Sequence, residues 1–152
     1  MKVGVVVGTF DMFHIGHLNL LNNAKSRCDY LIAGVNVDNV VLRDKNKSPI
    51  ITELSRFKIV EAIRCVDKVF LVEDNAVQFI KWLLDNGHNP DTYYRGYEPE
   101  LSYVSAENEK ISNLGVNVFF LPHTDGISST IIRDKLNEAD NMECAEKSDE
   151  KI

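Results

Sequence analysis

Short runs of β-branched and aliphatic residues alternate along this chain with segments whose apolar positions recur at helical spacing. The runs 2–8, 29–36, 67–72, 92–95 and 116–121 read as buried strands. Between them Leu18, Leu21 and Ala24 share one helical face, as do Phe57, Val60 and Ile63. Val77, Ile80 and Leu84 mark a third helix that Gly87 would end, and Ile132 with Leu136 mark a last one. Strands alternating with helices imply crossover connections, hence a parallel sheet covered on both faces. The predicted fold is α/β, a doubly wound parallel sheet with ligands expected at the carboxyl ends of its strands.

Two stretches interrupt the pattern. Asp38 to Ile51 is polar, carries Arg43, Lys45 and Lys47, closes at Ser48-Pro49 and is expected to be irregular. Gly96 to Asn108 holds Pro99 and several acids and reads as a loop passing into a short helix. Beyond Asn137 the chain is acidic and nearly devoid of apolar residues. Residues 1–137 are therefore expected to form the folded domain, and 138–152 a disordered tail.

Composition narrows the function. With 152 residues, 44% hydrophobic and 26% charged, the chain has the length and make-up of one globular domain. A net charge of −6 disfavours a nucleic-acid binder, and that tail holds most of it. No apolar run reaches the roughly 20 residues of a membrane span. Cys28, Cys65 and Cys144 form no CxxC pair and are odd in number. The expected setting is the cytoplasm.

The chemistry concentrates in Gly8-Thr9-Phe10-Asp11-Met12-Phe13-His14-Ile15-Gly16-His17, which follows the first strand and opens the first helix. A helix start offers unpaired N–H groups and partial positive charge, so it stabilises an anion. Gly8 and Gly16 permit close approach of the backbone to a ligand. His14 and His17, three apart, point the same way on a helical turn and can donate to phosphate oxygens. No GxxxxGK[ST] and no GxGxxG occupies this turn, which disfavours a P-loop enzyme and an ordinary dinucleotide binder. A zinc pair is the competing reading of the histidines, but no Cys or carboxylate stands nearby at ligand spacing, and no metal ligand is assigned.

His14-Ile15-Gly16-His17 after Gly8-Thr9-Phe10-Asp11 resembles the HxGH signature of the nucleotidylyltransferase superfamily. Thr124-Asp125-Gly126-Ile127-Ser128-Ser129-Thr130 is similar to the RTEGIST[ST] block of its cytidylyltransferases, and Arg64-Cys65-Val66-Asp67 to their RxVD segment. The blocks keep their order over residues 2–136, and the closest resemblance is to bacterial glycerol-3-phosphate cytidylyltransferases. It implies a Rossmann-like domain, a homodimer, and transfer of CMP from CTP to a small phosphorylated alcohol with release of pyrophosphate. An ATP-dependent adenylyltransferase and a catalytically silent nucleotide binder are the alternatives.

A phosphate dianion needs no general base to attack phosphorus. Catalysis is therefore expected from alignment and from stabilising charge on phosphate oxygens. His17 and His14 are assigned to the α- and β-phosphates, with Gly8, Thr9, Phe10 and Gly16 shaping the cradle. Ser128, Ser129 and Thr130, preceded by Gly126 and Ile127, fall at a helix start and suit the β- and γ-phosphates. By the resemblance Lys45 and Lys47 contact triphosphate and acceptor, Lys45 also in a catalytic role. Gly96, His123 and Thr124 join the nucleotide site, and Arg64 serves the site or the dimer interface. Mg²⁺ is expected with the nucleotide, held mostly by its phosphates and water. Asp11 reads as structural at the turn and, by the resemblance, borders the acceptor.

The chain departs from the family at four places, the smallest being Asp125 where the motif has Glu. His123 stands where the motif has Arg, replacing a permanent cation with a titratable group. Arg95-Gly96-Tyr97-Glu98-Pro99 replaces a Gly-Asp-Asp-Trp-like segment, and Gln78 stands where those enzymes have Lys. Arg95 can restore a cation for the acceptor phosphate, and the acceptor's identity stays open.

Overall fold

A computed structural model describes residues 1–97 and 102–149. The chain runs β1 (Val3–Gly8), α1 (Ile15–Lys25), β2 (Tyr30–Asn36), α2 (Asp38–Lys45), α3 (Glu53–Glu61) and β3 (Lys68–Val72). It continues with α4 (Ala76–Asp85), β4 (Thr92–Gly96), α5 (Ser102–Asn113), β5 (Asn117–Leu121) and α6 (Ser129–Asp149). The sheet order is β3-β2-β1-β4-β5, with every neighbouring pair parallel. This is the expected doubly wound α/β domain.

Alternation along each strand divides the core into two layers. Val5 and Ile32 face one side, where Phe79, Ile80 and Leu83 of α4 and Ile111 of α5 cover them. Val6, Leu31, Ala33 and Val35 face the other, under Leu21 and Ala24 of α1 and Val60 of α3. Both faces are buried, so the strands read as continuous apolar runs. Leu21, Ile32, Ile80 and Leu83 are fully buried, and each contributes roughly 1.5–3 kcal/mol relative to exposure. Asn75 caps α4 by accepting from the Gln78 amide at 2.9 Å, and Gly87, at φ +77°, follows its end.

The sheet opens where the winding reverses. β1 stays paired with β2 from Val3 to Gly8, and β4 with β5 from Thr92 to Gly96. β1 and β4 meet only at Gly4–Thr92 and Val5–Tyr93. Beyond those pairs the two strands separate, leaving a crevice at their carboxyl ends, the switch point where such sheets bind ligands.

Three segments differ from expectation. Asp38 to Ile51 is not irregular throughout, because its first part forms α2, which buries Val40 and Val41. Two adjacent apolar residues give no helical period, so sequence could not show it. α5 is a full helix of 12 residues rather than a short one, and Glu98–Pro99 of the segment before it lie outside the described residues. The stretch expected to be a disordered tail continues α6 to Asp149, while residues 150–152 lie outside the described residues. Glu, Ala, Met and Lys are good helix formers and extend a helix already nucleated at Ser129.

The corner beside the crevice is closed by Arg56 of α3, which is wholly buried. Its guanidinium donates from Nη1 to the carbonyls of Thr9 and Asn36, both at 2.7 Å, and from Nε to that of Ile51 at 2.8 Å. Nη2 reaches Asp38 Oδ1 at 2.6 Å. One planar fork thus ties the ends of β1 and β2, the start of α2 and the loop before α3. Replacing it with Arg56→Lys should destabilise the protein by about 2–4 kcal/mol, since a lysine leaves buried carbonyls without donors. Urea denaturation measures this, and a loss under about 1 kcal/mol would contradict the role.

Candidate active site

The turn leaving β1 is conformationally costly. Phe10 has φ +56° and Met12 φ +47°, the left-handed region that residues with a Cβ avoid. Each such residue costs on the order of 1–3 kcal/mol and persists only when its surroundings enforce it. Arg56 holds the Thr9 carbonyl, and Phe10 is packed into the core at 2% exposure. Asp11, between the two strained residues, accepts from the amides of Ile50 and Ile51 at 2.8 and 2.9 Å and from Arg133 Nη2 at 2.8 Å. Its backbone carbonyl accepts from Ser129 Oγ at 2.7 Å.

The turn delivers the chain into α1 through a reciprocal cap. His14 is the N-cap, and its Nδ1 accepts from the Gly16 amide at 3.0 Å. His17 Nδ1 accepts in turn from the His14 amide at 3.1 Å. The imidazoles stack with centroids 3.8 Å apart and planes 25° from parallel. A nitrogen that accepts a hydrogen bond carries no proton, so each neutral ring bears its hydrogen on Nε2. The cap therefore fixes the tautomer and leaves two Nε2–H donors side by side. Gly16 makes the stacking possible: a Cβ there would lie 2.8 Å from His14 Cε1. Beside the close approach to a ligand expected of it, Gly16 makes room for the His14 ring.

Both rings are held neutral. Burial, then the neighbouring His14 and Lys45 charges, push His17 down to about 4, against a smaller opposing pull from Asp11. Burial, followed by His123, also lowers His14. Phe10 and Phe13 pack on His17 at centroid distances of 5.5 and 5.3 Å and supply the apolar surround. For Asp11 burial works upward, but the Ile50 and Ile51 amides and Arg133 outweigh it and keep the carboxyl below its usual range.

These groups face a cleft of about 710 Å³ between the carboxyl ends of β1 and β4. Every residue expected at the site lines it except Gly126, Arg64 and Gln78. Gly126 instead forms the left-handed turn, φ +79°, ahead of the Ile127–Thr130 wall. Ser128 Oγ caps α6 by accepting from the Ile131 amide at 3.1 Å, and Thr124 Oγ1 accepts from Asn19 Nδ2 at 3.1 Å. Arg95 enters from β4, held by Asn108 at 2.9 Å and Glu107 at 3.7 Å, its guanidinium 5.6 Å from the Tyr93 ring centre. Lys45 ends α2 and Lys47 follows it in the loop, both exposed, with no carboxylate partner recorded among the described residues.

α3 stops at Glu61, and Arg64 is exposed in the turn beyond it. Gln78 lies in a separate hollow of about 380 Å³ with Phe70, Asn75 and Trp82. Sequence reasoning missed Arg56, Leu20, Val41, Tyr93 and Pro122, the last four lining the cleft. A signal for Arg56 existed, since it stands four residues before Val60 on the helix face that packs against the sheet. Arg133 borders the cleft and pairs with Asp11, its buried Nε lacking a hydrogen-bond partner.

Comparison with known proteins agrees with this geometry. The cytidylyltransferase-like family model matches residues 5–135. The chain is 34% identical over 138 residues to glycerol-3-phosphate cytidylyltransferase of Bacillus subtilis (strain 168), covering 90% of this chain and 98% of that one. It is also 34% identical over 142 residues to the bifunctional protein HldE of Geobacter metallireducens, covering 91% of this chain and 27% of that protein. Among solved structures, the lipopolysaccharide core biosynthesis protein of Thermoplasma volcanium GSS1 superposes with a TM-score of 0.64 at 27% identity. That match covers 82% of this chain and 97% of the other.

Folding lowers the His17 pKa, so the folded protein takes up that proton less readily than the unfolded chain. The resulting stability is complete above about pH 6.5 and declines as pH falls toward 4. Imidazole ¹⁵N shifts of the free protein should show His17 in the Nε2–H form down to about pH 5. A midpoint near 6.5 would refute the neutral pair.

Proposed function

This chain belongs to the cytidylyltransferase-like family, and from that premise we propose that it transfers CMP from CTP to a small phosphorylated alcohol, glycerol 3-phosphate or a similar phosphate, releasing pyrophosphate. As a family member it is a nucleotidyltransferase; the base and the acceptor are the proposal. The observation that carries the reading is the reciprocal cap, which leaves two neutral imidazole donors stacked at the carboxyl end of β1.

In the proposed step a phosphate oxygen of the acceptor attacks the α-phosphorus in line. The new P–O bond forms as the bond to the α–β bridging oxygen breaks, and that electron pair leaves with pyrophosphate. The attacking phosphate is already ionised, so no side chain has to remove a proton. His17 and His14 donate Nε2–H to the α- and β-phosphates, where charge builds up. The Ser128 and Thr130 hydroxyls and the free amides at the start of α6 hold the β- and γ-phosphates, while the Ser129 hydroxyl stays on the Asp11 carbonyl. Lys45 and Lys47 cover the triphosphate from the opposite wall, and Arg95 supplies the cation for the acceptor phosphate. Gln78, in its own hollow, is left out of that contact.

Mg²⁺ is part of the proposal, as an ion carried in by the nucleotide. Asp11 is the carboxylate among the lining residues, and both its oxygens are committed. Among the described residues no group of three His, Cys, Asp or Glu could hold a metal. That donor set fits an ion bound by phosphate oxygens and water, whose charge would offset the triphosphate. We further propose a homodimer, with exposed Arg64 at the interface, on the strength of the family resemblance. No helix among the described residues is long and apolar enough to cross a membrane. We assign the enzyme to the cytoplasm, where free thiols such as its three cysteines are usual.

Pyrophosphate release, measured with Mg²⁺ against a panel of triphosphates and phospho-alcohols, should be specific to CTP. ATP-specific release would instead identify an adenylyltransferase, and tight nucleotide binding without turnover a silent binder. His17→Ala should reduce turnover on the order of 10²–10³-fold, the scale for losing one such donor. Near-normal turnover in that variant would remove the histidine pair from the mechanism.

A further inference from the structure

We infer that Asp11 is a positioning residue of the transfer site, holding the lysine-bearing loop, the first-strand turn and the start of α6 in one register without touching substrate. The inference rests on the nucleotidyl-transfer reading above.

A carboxylate is an unexpected group in a cleft that must take a polyanion. Asp11 lines the cleft but is only 4% exposed, and its oxygens are spent on the protein. Oδ1 accepts from the Ile51 amide, while Oδ2 takes both the Ile50 amide and Arg133 Nη2. Its charge is matched by Arg133, so the acid presents little net repulsion to phosphate. These donors also favour the ionised form at neutral pH.

The partners belong to segments that carry phosphate-binding groups. Ile50 and Ile51 close the loop that leaves α2, and Lys47 lies three residues before the first anchored amide. At the loop's other end Asn46 turns left-handed at φ +53° and donates its amide to the Leu42 carbonyl at 2.9 Å, directly after Lys45. The loop is thus fixed at α2 and at Asp11, with the two lysines at and just beyond its first anchor. Lys45 lines the same cleft as His14 and His17. Ser129, bound to the Asp11 carbonyl, begins α6 and lines the opposite wall. Among the described residues, Asp11 is the one joined to all three segments.

Asparagine tests this because it keeps the shape and gives up one acceptor oxygen. Asp11→Asn can serve Ile51 or the Ile50–Arg133 pair, and its amide group would meet a donor on the other side. Calorimetric titration with inorganic tripolyphosphate reads the outcome independently of base and acceptor. Asp11→Asn should weaken binding about tenfold or more in the native background, and less than about twofold when Lys45→Ala and Lys47→Ala are already present. Equal losses in both backgrounds would show that Asp11 does not act through the lysines and would overturn the inference. Amide hydrogen exchange provides the second arm. Ile50 and Ile51 should exchange slowly in the native protein, although their loop is exposed, and rapidly in Asp11→Asn. Native amides that exchange as fast as their neighbours overturn the anchor even if the variant does not fold. Native protein that ignores tripolyphosphate would count against the nucleotide reading instead, with exchange still deciding the role of Asp11.

Discussion

The fully buried guanidinium of Arg56 is the constraint on which the corner of this molecule depends. Three chain segments bring carbonyls to it: Thr9 after β1, Asn36 at the end of β2 and Ile51 before α3. Without a donor each would be an orphaned buried acceptor. A single planar cation serves all three and still reaches Asp38. The turn after β1 can then hold two residues in left-handed conformations, because its neighbours leave it no alternative.

Helix capping and the proposed anion recognition use the same groups in this site. A helix start must satisfy its free amides, and His14 and His17 do so reciprocally through Nδ1. The cap consumes the accepting nitrogen of each ring and leaves the donating one. What stabilises α1 therefore also sets the imidazoles up for phosphate oxygens before any ligand is present. An aspartate would cap as well, but its carboxylate offers an anion only acceptors. The HxGH pattern is thus a structural solution whose by-product is the chemistry.

How much of this was legible in the sequence depended on what kind of residue carried it. The strands could be read because the sheet is covered on both faces, which makes Val3–Gly8 and Tyr30–Asn36 unbroken apolar runs. The histidine spacing could be read as one facing pair, although His14 is the extended N-cap and the reciprocal cap, not a helical turn, brings the two rings together. α2 was hidden, since Val40 and Val41 adjoin and make no period, and α6 was cut short because an exposed helix needs no apolar stripe. Arg56 escaped notice because a buried cation looks, in sequence, like a solvated one; its partners are backbone atoms, which sequence does not display. The left-handed Phe10 and Met12 were equally invisible, as neither residue type announces that conformation. Gln78 and Arg64 were carried over from a resemblance, and nothing in their local pattern could say that the cleft lies elsewhere.

The separation of β1 from β4 sets how the cleft behaves mechanically. The two strands are joined at one end by the Gly4–Thr92 and Val5–Tyr93 pairs. Toward the other end, the cleft is spanned by Ser129 on the Asp11 carbonyl, Arg133 on the Asp11 carboxylate and Asn19 on Thr124. A wedge braced at apex and mouth is a truss, and its width is set by the frame rather than by what enters it. Little conformational freedom remains there for a ligand to quench, so contact energy shows up in affinity with small reorganisation losses. Softening one of the mouth braces would act as added compliance, costing affinity without removing any group that touches the nucleotide.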